Sequence, residues 1–600
     1  MYSKILQSTY KMKRLRILLH ICAFSLYSAK FASSLIQSDT NEKSRSPSLK
    51  IPKNDGKSEK ILIESSPLEK KSLEFRGGSK AGEIVPSFSS PKRNFLSHFL
   101  NVEAHEFPKF MTMAVMMFSI IYIFTLTRDT KDTLVVTNCG AESIAFLKVY
   151  GVVPAAALFM LMYNFCSNHV SSRLLFHMTI LPFFLFYGVF GLVLYPLRDR
   201  LHHPGGALKA EDHPLAYLIN CGRFWMFSLY YIVSELWGSA GIPLLFWTCA
   251  NEVTPIKQAK RFYIGFGLLG NLAPVASGLT MVYVAKKSKL FNSSSNEMAF
   301  ANSIKVLTLV LLGAGVITVA LYEYVHKLYQ KELKDDPLSE HATLARQPKE
   351  KMGLLESFKF LSKSKYLGHI GLMVLSYGLC MEFTELMWKA IVRKAFSEKN
   401  EYMAFMGRYS QTVGYATTMV MLLGTQLVHR FGWELGALMT PLMMGLLAIP
   451  FFCYTIFGNV EASRAALMKA VYIGAVQNIL SKATKYALFD PTKEMAYIPL
   501  DQASKVKGKA AIDVLGARLG KSMGAFAQQA IVLLSGSVIN GAPSLAVLFV
   551  LVIGMWSSNV VSLGREFRQK TEEASRDAKL KAEMEMKLSR ASKRRFKFLK

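Results

Sequence analysis

Charged side chains interrupt four of the long apolar runs in this 600-residue chain. An ionised group at the centre of a membrane helix costs about 2.5 to 3.5 kcal/mol on insertion scales, so each of these groups needs a partner or a ligand. Lysine and arginine are the usual partners of phosphate oxygens, so the positive members suit a phosphate-bearing ligand. The four clusters are Arg128–Asp132, Glu235 within 234–239, Glu382 with Glu385 and Lys389, and Lys505, Lys507, Lys509, Asp513, Arg518 and Lys521.

Each cluster could also have a purely structural role, as charges at the membrane edge or as an ion pair between helices, and this alternative suits some clusters better than others. The first cluster lies near the end of its run and contains both signs, which also suits a local ion pair. Glu235 has no basic residue within a helical turn, whereas Glu385 has Lys389 four residues further on. Lys507 and Lys509 are surrounded by glycines that let a ligand or another helix approach the backbone. Together the clusters predict a cavity near the membrane midplane.

Motifs of the commonest enzyme and metal sites are absent from the sequence. It contains no GxxxxGK[ST] phosphate loop, no HExxH and no GxSxG. The GxGxxG pattern at 265–270 lies inside an apolar run, which indicates helix packing. The seven cysteines form no CxxC pair and have no histidines at metal-ligand spacing, so we expect no disulfide framework, metal or cofactor.

Apolar runs of membrane-spanning length organise most of the chain. Apolar residue types make up 51% of it and the mean hydropathy is +0.23, which excludes a string of soluble domains. Six runs precede a hydrophilic loop at 327–365 and six follow it, typical of a transporter built from two parallel halves. We predict an all-α polytopic membrane protein with 12 transmembrane helices in six-helix halves at 107–326 and 366–562. The runs lie at about 110–127, 144–165, 174–196, 218–250, 262–284, 303–325, 366–389, 402–428, 434–457, 465–487, 510–538 and 540–562.

Traces of an internal duplication support the two halves. Lys148 and Arg408 open the second and eighth runs, and each is followed by a histidine 21 residues later. Lys260 and Lys509 each precede a glycine by seven residues at the start of the fifth and eleventh runs. The offsets of about 250 to 260 residues are those of a half-chain repeat. An even number of spans places the N-terminus, the central loop and the C-terminus on one side, which the positive-inside rule makes cytosol-like.

Both ends of the chain lie outside the predicted membrane body. A basic stretch, a short apolar run at 17–29 and small residues after it predict a signal peptide at 1–32. Residues 33–106 are too hydrophilic to bury a core. With the signal peptide they resemble the bipartite presequence of proteins entering plastids wrapped by extra membranes. A signal-anchored secretory-pathway protein is the alternative, favoured by the acidic residues in this leader. The basic tail at 563–600 is expected to contact anionic lipid.

Several motifs resemble those of the ATP/ADP antiporter family of plastid envelopes and obligate intracellular bacteria. The resemblance runs from about residue 107 to 562 with the motifs in family order, and the stretch at 481–513 is the most specific. The family is similar in architecture to major-facilitator transporters. The motifs are LTRDTKD at 126–132, AFLK at 145–148, SELWGS at 234–239, LFW at 245–247, TELMWK at 384–389, SK at 481–482, KYALFDP at 485–491, KEMAYIPLD at 493–501 and KVKGKAAID at 505–513.

The resemblance implies exchange of ATP for ADP with phosphate by a monomer in a plastid envelope membrane. The family's charged transport positions correspond to Lys131, Glu235, Glu385 and one lysine of the Lys507/Lys509 pair. A proton-coupled or broad-specificity nucleoside triphosphate importer is the alternative, and a membrane enzyme acting on a phosphate-bearing substrate is a remote one. The substrate-binding residues predicted from all these observations are Arg128, Lys131, Glu235, Glu385, Lys389, Lys507, Lys509 and Asp513.

Two departures from the family pattern concern the cavity wall. Pro243 follows the SELWGS motif and predicts a kink near Glu235, and Met523 stands where the family has glycine. Both bear on selectivity for the nucleobase rather than on phosphate binding. A basic cavity left empty is costly in a low-dielectric core, so we expect the return step to be easier with a counter-nucleotide bound.

The excess of basic residues indicates binding of a transported anionic substrate rather than of nucleic acid. The net charge of +30 divides into +8 over residues 1–106, +15 over 107–562 and +7 over 563–600. Half of it therefore lies in the predicted membrane body, where nucleic acid has no access. We expect this part to bind the phosphates of a transported nucleotide.

Overall fold

A computed structural model describes residues 102, 103, 105–209, 211–288, 295–335, 364–500, 508, 512 and 517–598. Every regular element within these ranges is helical. The predicted signal peptide, nearly all of the leader and most of the central loop lie outside them. The same holds for Lys507, Lys509 and Asp513 of the predicted site.

The helices follow the order of the apolar runs. Those of the N-terminal half are α1 Phe107–Asn138, α2 Ser143–His169, α3 Ser172–Leu194, α4 Trp225–Val253, α5 Ile256–Gly270 with its continuation Ala273–Lys287, and α6 Asn296–Asp335. Those of the C-terminal half are α7 Lys365–Ala395, α8 (399–431), α9 Gly432–Phe457, α10 Arg464–Thr484, α11 Ala517–Ser535 and α12 Ala542–Phe598.

The all-helical membrane fold is confirmed, while the number of crossings stays a prediction. Over the described ranges, nine helices are long and apolar enough to span a membrane, and α8, α10 and α11 are not among them. Helix α10 contains two lysines and several amides and hydroxyls, which lowers its hydropathy. The predicted fourth run, 218–250, is divided at Phe224 into a short helix and α4.

Helices α1 and α7 form the centre of the molecule. In each of them 72% of the residues in the most apolar 18-residue stretch are buried, against 28% in α2 and 33% in α6. Each contacts helices of its own half and also the other central helix. The charged clusters at 128–132 and 382–389 lie on these two helices, so the fold places them in the interior rather than against lipid.

Irregular backbone occurs at the ends and in the middle of several helices. Gly140, which follows α1, and Gly432, where α8 meets α9, have φ angles of +96° and +80°, a region that favours glycine. Wider π-helical turns interrupt α2 at Leu147–Val152 and α4 at Gly241–Phe246, and such turns are frequent at functional sites. The second of them contains Pro243, where the sequence predicts a kink.

Glycines bring helices of the two halves into close contact. A Cβ atom added to Gly278 of α5 would lie 2.3 Å from the carbonyl oxygen of Gly407 of α8, which no rearrangement of a side chain can relieve. Gly414 of α8 packs in the same way on Val275. The GxGxxG pattern contributes to packing as predicted, since Gly270 of α5 lies against Ile121 of α1.

We expect Gly278→Ala to lower the melting temperature of the purified protein, because the added methyl group forces α5 and α8 apart. Gly267→Ala is the matched control on the same helix, since its methyl group would meet only the end of the Met421 side chain at 3.9 Å. Thermal unfolding monitored by intrinsic fluorescence compares the two. Equal melting temperatures for both variants would contradict the tight contact.

Candidate functional site

Six side chains of alternating charge form a continuous row of ion pairs that joins four helices. It begins on α4, passes through two neighbouring residues of α1, crosses to α7 and ends on α10. Every link is an ion pair of 3.2 Å or less. The six residues, called the charge chain below, are in order Glu235, Lys131, Asp132, Lys389, Glu385 and Lys482.

Lys131 lies between the two carboxylates of the charge chain that belong to the N-terminal half. Its Nζ lies 3.0 Å from Oε1 of Glu235 and 2.8 Å from Oδ1 of Asp132. The ammonium group also lies 3.8 Å from the centre of the Tyr231 ring, within the range of a cation–π interaction. Glu235, which has no basic neighbour in its own helix, thus receives its partner from α1. Asp132 pairs with this lysine and not with Arg128 one turn earlier.

The link between the halves is the pair of Asp132 and Lys389. Nζ of Lys389 lies 2.8 Å from Oδ2 of the aspartate and 3.0 Å from Oε1 of Glu385, its neighbour one turn earlier on α7. The same oxygen of Glu385 lies 3.2 Å from Nζ of Lys482 on α10. One carboxylate oxygen therefore bridges two ammonium groups, an arrangement that a phosphate oxygen could also adopt.

A second ion pair between the halves joins Lys148 of α2 and Glu382 of α7. The Lys148 Nζ lies 2.7 and 2.6 Å from the two carboxylate oxygens, so the pair is bidentate. Lys148 belongs to the π-helical turn of α2, and Gly524 of α11 packs on the Glu382 side chain. Gln528 of α11 donates to the backbone oxygen of Glu382 at 2.6 Å. The pair is thus fixed by helices on both sides.

A third polar link joins α1 to α8. Arg128 donates from Nε to Asp129 at 2.9 Å and from a terminal nitrogen to the Ser410 hydroxyl at 2.8 Å. The same hydroxyl donates to the second oxygen of Asp129. Asp129 therefore satisfies both a cation of its own helix and a hydroxyl of the other half.

The ion pairs described around the site contain equal numbers of cations and carboxylates. Five cations, Arg128, Lys131, Lys148, Lys389 and Lys482, face five carboxylates, Asp129, Asp132, Glu235, Glu382 and Glu385. The expectation of uncompensated positive charge in the empty cavity stays a prediction, because Lys507 and Lys509 lie outside the described residues and Lys521 of α11 is a further cation that acts electrostatically on Glu235. Among the acids, Glu235 and Glu385 have side chains that are 25% and 24% exposed, against 8% or less for the others. Only these two carboxylates are open to an entering ligand.

Contacts between the halves concentrate at one end of the molecule, where α1, α7 and α11 end and α2, α8 and α12 begin. Arg393 donates to the Thr137 backbone oxygen at 3.2 Å, and Gln529 donates to that of Ala145 at 2.9 Å. Asn271 and Met421, whose side chains meet at 3.2 Å, form a contact deeper in the bundle. These contacts, called the seal below, join the two halves on the side away from the predicted position of the chain termini.

The seal includes a buried carboxyl group in the connection between α1 and α2. Glu142 accepts a 3.4 Å hydrogen bond from the backbone nitrogen of Val538, which lies between α11 and α12. Burial raises the pKa of Glu142 above its usual range. Apart from the charged groups of the cavity, this residue is the clearest candidate for a site that binds a proton.

Five of the eight predicted site residues lie together in this network: Arg128, Lys131, Glu235, Glu385 and Lys389. The other three, Lys507, Lys509 and Asp513, lie outside the described residues. The sequence prediction missed Lys148 and Lys482, although both lie inside predicted apolar runs, and the cost of intramembrane charge applies to them equally.

Comparisons with known proteins agree with the architecture. The sequence profile of the family described as TLC ATP/ADP transporter matches residues 86–567. A protein named ADP,ATP carrier protein 1 from Chlamydia pneumoniae is 40% identical over 478 residues, which cover 78% of this chain and 92% of the relative. ADP,ATP carrier protein 1, chloroplastic, from Arabidopsis thaliana is 38% identical and covers 85% of this chain and 80% of the relative.

A further relative and one solved structure extend these findings. The plastidic ATP/ADP-transporter of Solanum tuberosum is 38% identical, over 79% of this chain and 75% of the relative. A bacterial homologue of the iron transporter ferroportin in an inward-facing state superposes with a TM-score of 0.51 at 11% identity. The superposition covers 75% of this chain and 99% of the ferroportin homologue, and the likeness shows the major-facilitator-like fold.

Proposed function

Because the chain belongs to the TLC ATP/ADP transporter family, we propose that it exchanges ATP for ADP across a membrane by alternating access. The protein is a multi-pass membrane protein and a secondary transporter rather than an enzyme. The observation that carries the proposal is the charge chain, because it places three lysines and two accessible carboxylates where the two halves meet.

Nucleotide phosphates bind by replacing the accessible carboxylates. Glu235 and Glu385 hold the lysines in position while the site is empty, and both are within reach of solvent. A polyphosphate takes over the ammonium groups of Lys131 and Lys389 and leaves the two glutamates to solvent or to a coupled proton. Because both lysines keep Asp132 as a common partner, the site stays organised during this replacement.

The ion pairs between the halves couple transport to exchange. Opening the sealed end separates Asp132 from Lys389 and Lys148 from Glu382. Breaking a buried pair so that a charge is left without a partner costs about 3 to 5 kcal/mol. A bound nucleotide lowers this cost because its phosphates supply new partners to the separated lysines. The empty transporter lacks these partners and returns slowly, which makes uptake depend on a counter-substrate.

The setting of the transporter is part of the proposal. Phosphate accompanies ADP, the protein acts as a monomer, and its membrane is a plastid envelope membrane. Relatives named chloroplastic and plastidic support the plastid. The predicted signal peptide at 1–32 and the hydrophilic leader at 33–106 agree with routing to a plastid, because together they combine an apolar run with a hydrophilic segment.

Proteoliposomes containing the purified full chain test the exchange. We expect rapid uptake of labelled ATP into vesicles loaded with ADP, and little uptake into vesicles without internal nucleotide. A protonophore should leave the rate unchanged. Uptake that proceeds without internal nucleotide and collapses with the protonophore would instead establish a proton-coupled nucleoside triphosphate importer. Glu142 favours that alternative, because it is buried and forms no ion pair within the described residues.

A further inference from the structure

We propose that Lys482 of α10 binds the terminal phosphate of ATP and sets the preference of the site for triphosphate over diphosphate. The inference rests on the proposed exchange of ATP for ADP. It adds a residue and a division of the site into two phosphate positions, one in each half of the molecule.

The first step concerns the surroundings of Lys482. Its side chain is 12% exposed, and its ammonium group contacts the accessible carboxylate of Glu385. It also lies 5.2 Å from the centre of the Tyr409 ring, which belongs to α8. A lysine that is this buried needs a permanent counter-charge or a ligand. Its ion-pair partner here is the acid that an entering phosphate would displace.

The second step compares the two lysine positions beside the accessible acids. In the N-terminal half, Lys131 would lose Glu235 to a phosphate but keep Asp132, so it offers a single bond to the ligand. In the C-terminal half, Lys389 and Lys482 share one oxygen of Glu385. Two ammonium groups from two helices thus contact one carboxylate oxygen, whereas Glu235 has one such contact, from Lys131.

The third step matches these positions to the chemistry of a polyphosphate. A terminal phosphate has three free oxygens and carries between about 1.5 and 2 negative charges near neutral pH. An inner phosphate has two free oxygens and one charge. The position beside Glu385 therefore suits the terminal phosphate, and the position beside Lys131 suits an inner one. ADP also ends in a terminal phosphate, but when its α-phosphate is anchored at the inner position the molecule is one phosphate shorter than ATP, and it therefore depends less on Lys482.

Lys482→Gln tests this assignment. The protein should fold, because Glu385 retains its ion pair with Lys389. We expect the KM for ATP in ATP–ATP exchange to rise at least about tenfold, which corresponds to about 1.4 kcal/mol. The KM for ADP in ADP–ADP exchange should rise by less than about threefold, because the diphosphate relies on fewer charge-assisted bonds to this half. Stabilisation of the purified protein by ATP, measured as a shift in melting temperature, should fall in parallel.

Two further variants serve as controls. Lys482→Arg keeps the charge and should retain most of the preference for ATP. Lys469→Gln removes an exposed lysine from the same helix and should change neither KM. An unchanged KM for ATP in Lys482→Gln, or an equal rise for ATP and ADP, would overturn the assignment while leaving exchange intact. If the wild-type protein moves neither nucleotide, the proposed function itself fails and the assignment with it.

Discussion

Exchanging the charges of Lys148 and Glu382 is expected to restore the transport that either single reversal abolishes. Lys148→Glu places two carboxylates opposite each other in a buried position, and Glu382→Lys does the same with two ammonium groups. Either change should cost several kcal/mol, because like charges replace a bidentate pair in a region of low dielectric constant. The double variant recreates an ion pair of the same separation with reversed direction.

The experiment measures ADP-dependent uptake of ATP in proteoliposomes for the wild type, both single variants and the double variant. Lys399 and Glu297 provide the matched control, since they form an ion pair between the same two halves whose carboxylate is 53% exposed, against 8% for Glu382. Reversing that pair should change transport little, because exposed pairs contribute only about 0 to 1 kcal/mol. If the double variant at Lys148 and Glu382 is as inactive as the single ones, these residues act on the ligand and not as a link between the halves.

Removal of the ammonium group at Lys131 is expected to nearly abolish exchange. Lys131→Ala takes away one of the two proposed phosphate positions and leaves Glu235 and Asp132 facing each other without their shared cation. The repulsion between these carboxylates disfavours an incoming anion further. Uptake of labelled ATP into ADP-loaded proteoliposomes measures the effect, and uptake like that of the wild type would remove Lys131 from the binding site.

A second variant separates loss of binding from loss of folding. In Lys131→Ala/Glu235→Gln the acid that has lost its ion-pair partner is neutralised while Asp132 keeps Lys389, so thermal stability should recover toward that of the wild type. Transport should stay absent, because the phosphate still lacks its cation. Lys286→Gln, at an exposed position near the end of α5, should affect neither stability nor transport. Recovery of both properties in the double variant would show that Lys131 serves stability alone.

The sequence predicted the fold and the main location of the site for simple physical reasons. Apolar runs of about 20 residues leave few alternatives to membrane helices, and charges inside such runs are costly enough to mark function. Arg128, Lys131 and Lys389 could be selected on that basis before their surroundings were known. Their convergence follows from the central position of α1 and α7, which is a property of the assembled bundle.

The partners of these charges could not be predicted from sequence spacing. The spacing of four between Glu385 and Lys389 correctly indicated one ion pair. Asp132 instead crosses to Lys389 in the other half, more than 250 residues away, because the packing of two central helices decides which side chains meet. Lys482 belongs to a motif in the sequence but to none of the four charged clusters, and the split of the fourth run at Phe224 depends on a local turn that hydropathy does not report.

The equal numbers of cations and carboxylates in the described cavity also determine how the transporter responds to an electrical potential. A charge that crosses a membrane gains or loses about 2.3 kcal/mol per 100 mV. The paired charges among the described residues cancel and add nothing to this energy, so with respect to them the voltage acts only on the difference between the two cargoes. ATP carries about one more negative charge than ADP, and a singly charged phosphate travelling with ADP removes that difference. The exchange cycle would then be electrically silent and driven by nucleotide and phosphate gradients alone.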